Sequence, residues 1–183
     1  MRVIAGLAKG HTLKVPKGLA VRPTSDKVRG AIFNILHADP TVKLEGARVL
    51  DLFAGTGALG IEALSRGAAE ATFVERDRRA LEALRANLDA TRFAGKAHVI
   101  AHDADTRGIL TGRFDLVFAD PPYEVVAKSR ALRKIAEWLA DGGVAVLEHA
   151  SGETPPPPAG LVASDLRQYG STSVSFFRRG DAP

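Results

Sequence analysis

Val49-Leu50-Asp51-Leu52-Phe53-Ala54-Gly55-Thr56-Gly57-Ala58-Leu59-Gly60 decides the fold. A short apolar run, the pattern of a strand covered on both faces, enters Gly-x-Gly-x-x-Gly, and an apolar series at helical spacing follows. Glycine permits torsions that other residues resist and lets a ligand approach the main chain, while a helix start offers unpaired N–H groups. The stretch predicts strand, turn and helix with a nucleotide-like ligand at the turn, its candidate contacts being Asp51, Phe53, Ala54, Gly55, Thr56 and Gly57.

Working outward, apolar runs at 48–53, 71–75, 97–102, 114–119 and 144–148 alternate with helical patterns at 57–66, 78–92 and 129–140. Such alternation implies an α/β fold of the Rossmann-like kind, a mostly parallel, doubly wound sheet with helices on both faces. Two further runs, 161–169 and 173–178, meet at Gly170-Ser171 and predict a closing antiparallel hairpin, for seven strands in all. Pro155 to Pro158 can continue neither a helix nor a central strand and read as a rigid loop.

Upstream, 2–5 and 11–15 flank a glycine-bounded turn and predict a small β-hairpin, and Val28, Ala31, Ile32, Ile35 and Leu36 predict a helix capped by Thr24, Ser25 or Asp26. The 183 residues have the length of one domain. It divides into a hairpin appendage at 1–20, a helix and linker at 21–44 and a ligand-binding core at 45–183.

No stretch approaches the roughly 20 apolar residues of a membrane span, and no secretory pattern opens the chain. With no cysteine for disulfides, a cytoplasmic, membrane-free protein is expected. The five histidines are scattered, so no metal site is expected either. The net charge of +4 is uneven: residues 1–48 hold nine Lys/Arg against three Asp/Glu, and the remainder 16 against 18. A basic N-terminal end suits steering toward phosphates, and equally a solvated positive face.

Glu75 follows the second strand, twenty residues after Gly55, where a carboxylate can accept from both ribose hydroxyls; Arg76 stands beside it. Asp103 and Ala104, after the third strand, can meet an adenine, and a surface cap explains Asp103 as well. These features serve NAD and S-adenosylmethionine alike. Asp51 separates them, because an acid in the loop suits a cofactor bearing an ammonium and a sulfonium better than a pyrophosphate.

The fourth strand runs into Asp120-Pro121-Pro122-Tyr123. Two prolines fix the backbone and remove N–H groups, so the Asp120 carboxylate and Pro121 carbonyl can hold the two hydrogens of an exocyclic amino group. Tyr123 offers a ring for a base to stack on. A proline-rich turn with a packed Tyr is the bland alternative; its conjunction with the glycine loop favours methyl transfer to an amino nitrogen, with Asp120 touching donor and acceptor.

Asp51-Leu52-Phe53-Ala54-Gly55-Thr56-Gly57 with Asp120-Pro121-Pro122-Tyr123 resembles the class I amino-methyltransferases, whose sheet has seven strands, one of them antiparallel. With Arg22-Pro23-Thr24-Ser25-Asp26-Lys27-Val28-Arg29, Phe33-Asn34 and the basic N-terminal hairpin, the chain resembles the bacterial 16S ribosomal RNA guanine-N2 methyltransferase family. The resemblance implies S-adenosylmethionine as donor, S-adenosylhomocysteine as product, and guanine 966 of 16S ribosomal RNA, within a small-subunit particle, as target of a monomeric enzyme. It implies Lys9, Lys14, Arg22, Lys27 and Arg29 as RNA contacts, with Arg22, Pro23 and Thr24 near the cofactor. Tyr123 stands where many members carry Phe, and Tyr is common in DNA adenine-N6 methyltransferases, the first alternative. An NAD-dependent oxidoreductase and a non-catalytic RNA-binding assembly factor are the others.

Overall fold

The computed structural model describes residues 1–16 and 26–180. Helix α1 (Asp26–Ala38) leads to strand β1 (Arg48–Leu52), helix α2 (Ala58–Ser65), β2 (Glu70–Glu75), α3 (Arg78–Ala90), β3 (Ala97–Ala101) and β4 (Phe114–Ala119). Three short helices, α4 (Tyr123–Val126), α5 (Arg130–Arg133) and α6 (Ile135–Trp138), precede β5 (Leu139–Ala150), β6 (Leu161–Tyr169) and β7 (Thr172–Arg179). The strands form one sheet in the order β3-β2-β1-β4-β5-β7-β6, in which β7 alone runs antiparallel to its neighbours.

Side chains alternate strictly between two apolar layers. Val49, Phe73, Phe118 and Val146 pack on the face carrying α1, α2 and α3, and Leu50, Val74, Val117 and Leu147 on the opposite face. Both layers must be apolar for the sheet to be covered twice, which is why β1 and β4 read as near-continuous hydrophobic runs. Asp77 caps α3 by accepting from the N–H groups of Arg79 and Ala80, both at 2.9 Å, and Leu81, Leu84 and Leu88 line its buried side.

Helix α2 is buried on every side, Glu62 and Ser65 included. The cover is the N-terminal segment, which packs Val3, Ala8 and Leu13 into the same core. Its expected hairpin forms around a bridge between Arg2 and Thr12, with the N–H groups of Val3 and Leu13 donating to the carbonyls of His11 and Met1 at 2.9 and 3.0 Å. It is tied to α2 as well: the N–H groups of Ile4 and Ala5 donate to Glu62 Oε2 and Oε1 at 2.8 and 3.1 Å, and that of Ala8 to Ser65 Oγ at 3.0 Å. Glu62 also takes Arg66 Nε at 2.7 Å and lies 3.7 Å from Arg29 Nε. The segment expected as an appendage is thus docked on the core.

A second difference concerns 129–140, expected as one helix. Ser129 caps a single turn, Lys134 leaves helical torsions, and Leu139 enters the sheet opposite Phe114. The apolar spacing behind that expectation keeps its role across the break, since Leu132 and Ile135 are buried and Trp138 packs beside them.

Because Arg29 and Glu62 are both fully buried, removing one partner strands the other's charge. We expect Glu62→Ala to lower the unfolding free energy by about 3–5 kcal/mol, read from the urea midpoint. A loss below about 1 kcal/mol would show that the N-terminal segment docks without it.

Candidate active site

In the sheet order, β1 and β4 are neighbours from which the chain departs in opposite directions, and the crevice outside their carboxyl ends is where open α/β sheets bind ligands. The β1–β4 register pairs Leu52 with Ala119, so the glycine turn after β1 and the Asp-Pro-Pro-Tyr corner after β4 start side by side. Both line one cleft of about 1140 Å³.

The turn is shaped for close approach. Phe53 and Gly57 both adopt left-handed torsions, and a Cβ on Gly57 would sit 2.3 Å from Leu84 Cδ1. Gly60 is equally confined: a Cβ there would lie 2.3 Å from Phe73 Cε1. Its N–H donates to Asp51 Oδ2 at 2.9 Å, locking the strand end to the first turn of α2. Burial pushes the Asp51 carboxyl well above the usual carboxylate range, the Gly60 hydrogen bond opposes this, and the charges of Asp120 and Glu75 add to it.

Glu75 braces the loop from the next strand. Its Oε2 accepts from Gly55 N at 2.8 Å, and its Oε1 from the N–H groups of Arg76 and Asp77, both at 2.7 Å. Each carboxylate oxygen carries two lone pairs, so Oε2 keeps capacity for a ligand hydroxyl. Across the rim, Arg76 pairs with Asp103 at 2.6 Å. The Asp105 N–H, followed by this guanidinium, holds the Asp103 carboxyl below its ordinary value against partial burial. Ala104 lies buried between.

Tyr123 opens α4, and its hydroxyl lies 3.3 Å from Thr172 Oγ1, tying the corner to the start of β7. Pro122 is exposed and Pro121 buried. The cleft thus gathers Asp51, Phe53, Ala54, Gly55, Thr56, Glu75, Arg76, Asp103, Ala104 and the four corner residues. Gly57 stands behind this wall, its N–H donating to the Ala54 carbonyl at 2.8 Å.

The basic residues divide differently. Lys9, Lys14 and Lys27 are exposed, whereas Arg29 is fully buried, which corrects its expected place on an RNA-facing surface. Its Nη2 pairs with Asp26 at 2.9 Å and donates to the Arg2 carbonyl, so the guanidinium binds the N-terminal segment to α1 instead of facing solvent. Arg22, Pro23 and Thr24 lie outside the described residues, as do Lys17 and the cap candidate Ser25.

Sequence reasoning missed Met1, Val28, Glu148, Tyr169 and Thr172, all of which line the cleft. Glu148 carried a legible signal. Alternation along β5 puts it on the same face as Val144 and Val146, an acid inside a run buried on both sides. His149 is buried, with its Nε2 2.8 Å from Ser175 Oγ.

Fold and site together define a methyltransferase of the Rossmann-like class. The chain belongs to the Conserved hypothetical protein 95 family, whose model matches residues 1–178. It is 38% identical to a candidate rRNA methyltransferase of Bacillus subtilis, over 98% of this chain and 99% of that one. It is 36% identical to ribosomal RNA small subunit methyltransferase D of Escherichia coli, over 98% and 90%. Among solved structures, a candidate methyltransferase of Escherichia coli superposes with a TM-score of 0.80 at 35% identity, over 98% and 97% of the two chains. A Thermus thermophilus protein does so with 0.76 at 31% identity, over 97% and 99%.

The raised Asp51 pKa has a sign. Between the unfolded value, about 3.9, and the higher folded value, the folded state holds the extra proton, so stability falls as pH rises through that window. Asp51→Asn keeps an oxygen for Gly60 N and removes the charge. We expect it to melt higher than the parent at pH 7, with the difference closing below about pH 4. Parallel melting curves across that range would contradict the assignment.

Proposed function

We propose that this chain transfers a methyl group from S-adenosylmethionine to N2 of a guanine in 16S ribosomal RNA, at the position conventionally numbered 966. The carrying observation is the single cleft shared by the glycine turn and the Asp120 corner. Two similar proteins bearing ribosomal RNA methyltransferase names support the RNA class of substrate. The implied substrate is a small-subunit particle. We read residues 1–183 as one monomeric, cytoplasmic methyltransferase domain.

The residues present fit the cofactor. Gly57 and Gly60 leave no room for a Cβ against Leu84 and Phe73, which seats the loop on the core, while Ala54, Gly55 and Thr56 line the cleft. The buried Asp51 carboxyl suits a cationic group, which would restore its charge. Asp51, Glu75, Asp103 and Ala104 would hold S-adenosylmethionine. When bound it supplies an electrophilic methyl carbon on a sulfonium.

The corner performs the rest. The Asp120 carboxylate and the Pro121 carbonyl accept the two amino hydrogens and so aim the nitrogen into the cleft. Asp120 stabilises the positive charge that this nitrogen acquires and receives its proton at a carboxylate oxygen. No strong base is needed beforehand, because the amine becomes acidic only as the new bond forms. Tyr123 stacks on the base, a contact of roughly 1–3 kcal/mol in nucleic-acid binders.

We expect Asp120→Ala to lose at least about 100-fold in turnover while still binding S-adenosylhomocysteine, with N2-methylguanosine absent from nucleosides of the reacted RNA. Wild-type-like turnover in that variant would end its role. DNA adenine-N6 transfer predicts methyladenosine in the same mass spectra.

Lys9, Lys14 and Lys27 are the exposed lysines proposed to meet RNA phosphates. Replacing all three by Ala should flatten the dependence of log K on log salt by about 0.7–0.9 per lost phosphate contact. An unaltered slope would move the RNA surface elsewhere.

A further inference from the structure

We infer that Glu148 selects guanine in the acceptor pocket by accepting the hydrogen of its ring nitrogen N1, an assignment that rests on the proposed amino-methyl transfer. Four adjacent strands, β2, β1, β4 and β5, carry an acid at or near their carboxyl ends on the same face of the sheet: Glu75, Asp51, Asp120 and Glu148. Three have work in the site described above, two at the glycine loop and one at the acceptor amine. Glu148 is the fourth; it is 4% exposed and lines the same cleft.

Its place in the sheet fixes what it can meet. Ala119 pairs with Leu147, so Glu148 lies beside Asp120 at the adjoining strand end, on the side away from the glycine turn. Neighbouring strands stand about 4.8 Å apart, a spacing that lets two carboxylates address adjoining donors on one base edge. Guanine offers such a pair, the amino group and N1–H, whereas adenine presents a bare N1 lone pair beside its amine. A carboxylate opposite N1 therefore attracts guanine and repels adenine. Val28, Tyr169 and Thr172 line the same cleft, and with Glu148 only 4% exposed a contact to it is largely shielded from water, where a charged acceptor discriminates most.

The test replaces the target guanosine in the RNA by 2-aminopurine riboside, which keeps the amino group but bares N1. Wild-type protein should prefer guanosine in kcat/KM by about 10- to 100-fold. In Glu148→Gln the amide can also donate to a bare nitrogen, and the preference should shrink by roughly 10-fold with unchanged S-adenosylhomocysteine affinity. Glu148→Ala, checked for folding by its melting curve, should lose preference likewise. A wild-type preference in a folded variant overturns the inference, and so does a fall in S-adenosylhomocysteine affinity matching the loss of turnover. If wild-type protein leaves guanosine N2 unmethylated, the proposed function fails, and this inference with it. Methylation with an unaltered preference in the variants sinks only the Glu148 assignment.

Discussion

The hydrogen bond from Gly60 N to Asp51 Oδ2 joins the central strand to the helix above it, and the geometry of the cleft follows from that joint. An acid with its side chain almost wholly inside the protein is costly unless something uses it. Here the acceptor fixes the first turn of α2, and the glycine loop between has no freedom to close over the cleft. Phe73 on one side and Leu84 on the other permit no side chain at Gly60 or Gly57. Backbone, acid and helix end are therefore held in one arrangement before any ligand arrives, which is the preorganisation that transfer chemistry demands.

Charge explains why the acids sit where they do. Strand alternation delivers Glu75, Asp51, Asp120 and Glu148 to one face, and after burial the charges of Asp120 and Glu75 contribute to the raised Asp51 pKa. A cluster of this sign would repel phosphate, so a pyrophosphate cofactor is disfavoured on the same ground that a sulfonium with an ammonium is favoured. In the proposed reaction the phosphates of the RNA would instead meet the exposed Lys9, Lys14 and Lys27, which lie on the N-terminal segment and α1. Separating the two signs in this way would let one small chain attract an anionic polymer to its rim while offering an acidic interior to a cationic donor.

Much of this was legible because the deciding signals are local. A buried strand followed by glycines, and a strand followed by two prolines, each fix a backbone path over a few residues, and the parallel sheet then brings their ends together. The parallel sheet and its closing antiparallel strand follow from that pattern, whereas the order of strands and the pairing of Leu52 with Ala119 are set by contacts between distant segments. The misreadings came where long-range partners overrule local preference. Arg29 looks like a surface cation at its place in the sequence, yet Glu62, thirty-three residues away, takes it inside. The hairpin at 2–5 and 11–15 forms around Arg2 and Thr12, but the local pattern gave no sign that Glu62 and Ser65 would bind the N–H groups of Ile4, Ala5 and Ala8 and dock it on α2.

Those same misreadings explain how the N-terminal segment becomes part of the site. A free hairpin would hold its own hydrogen bonds and could swing as a unit. This one is bonded to α2 as well, through the N–H groups of Ile4 and Ala5, so Met1 is held at the cleft wall beside the helix that starts at the glycine loop. Asn87 on α3 adds a second tether, accepting from Lys14 N at 2.7 Å and donating to the Thr56 carbonyl at 3.0 Å. One side chain thereby touches both the basic segment and the loop. A displacement of the segment must disturb the loop, and any ligand that orders the loop must favour the docked segment, since coupling through shared contacts acts equally in both directions.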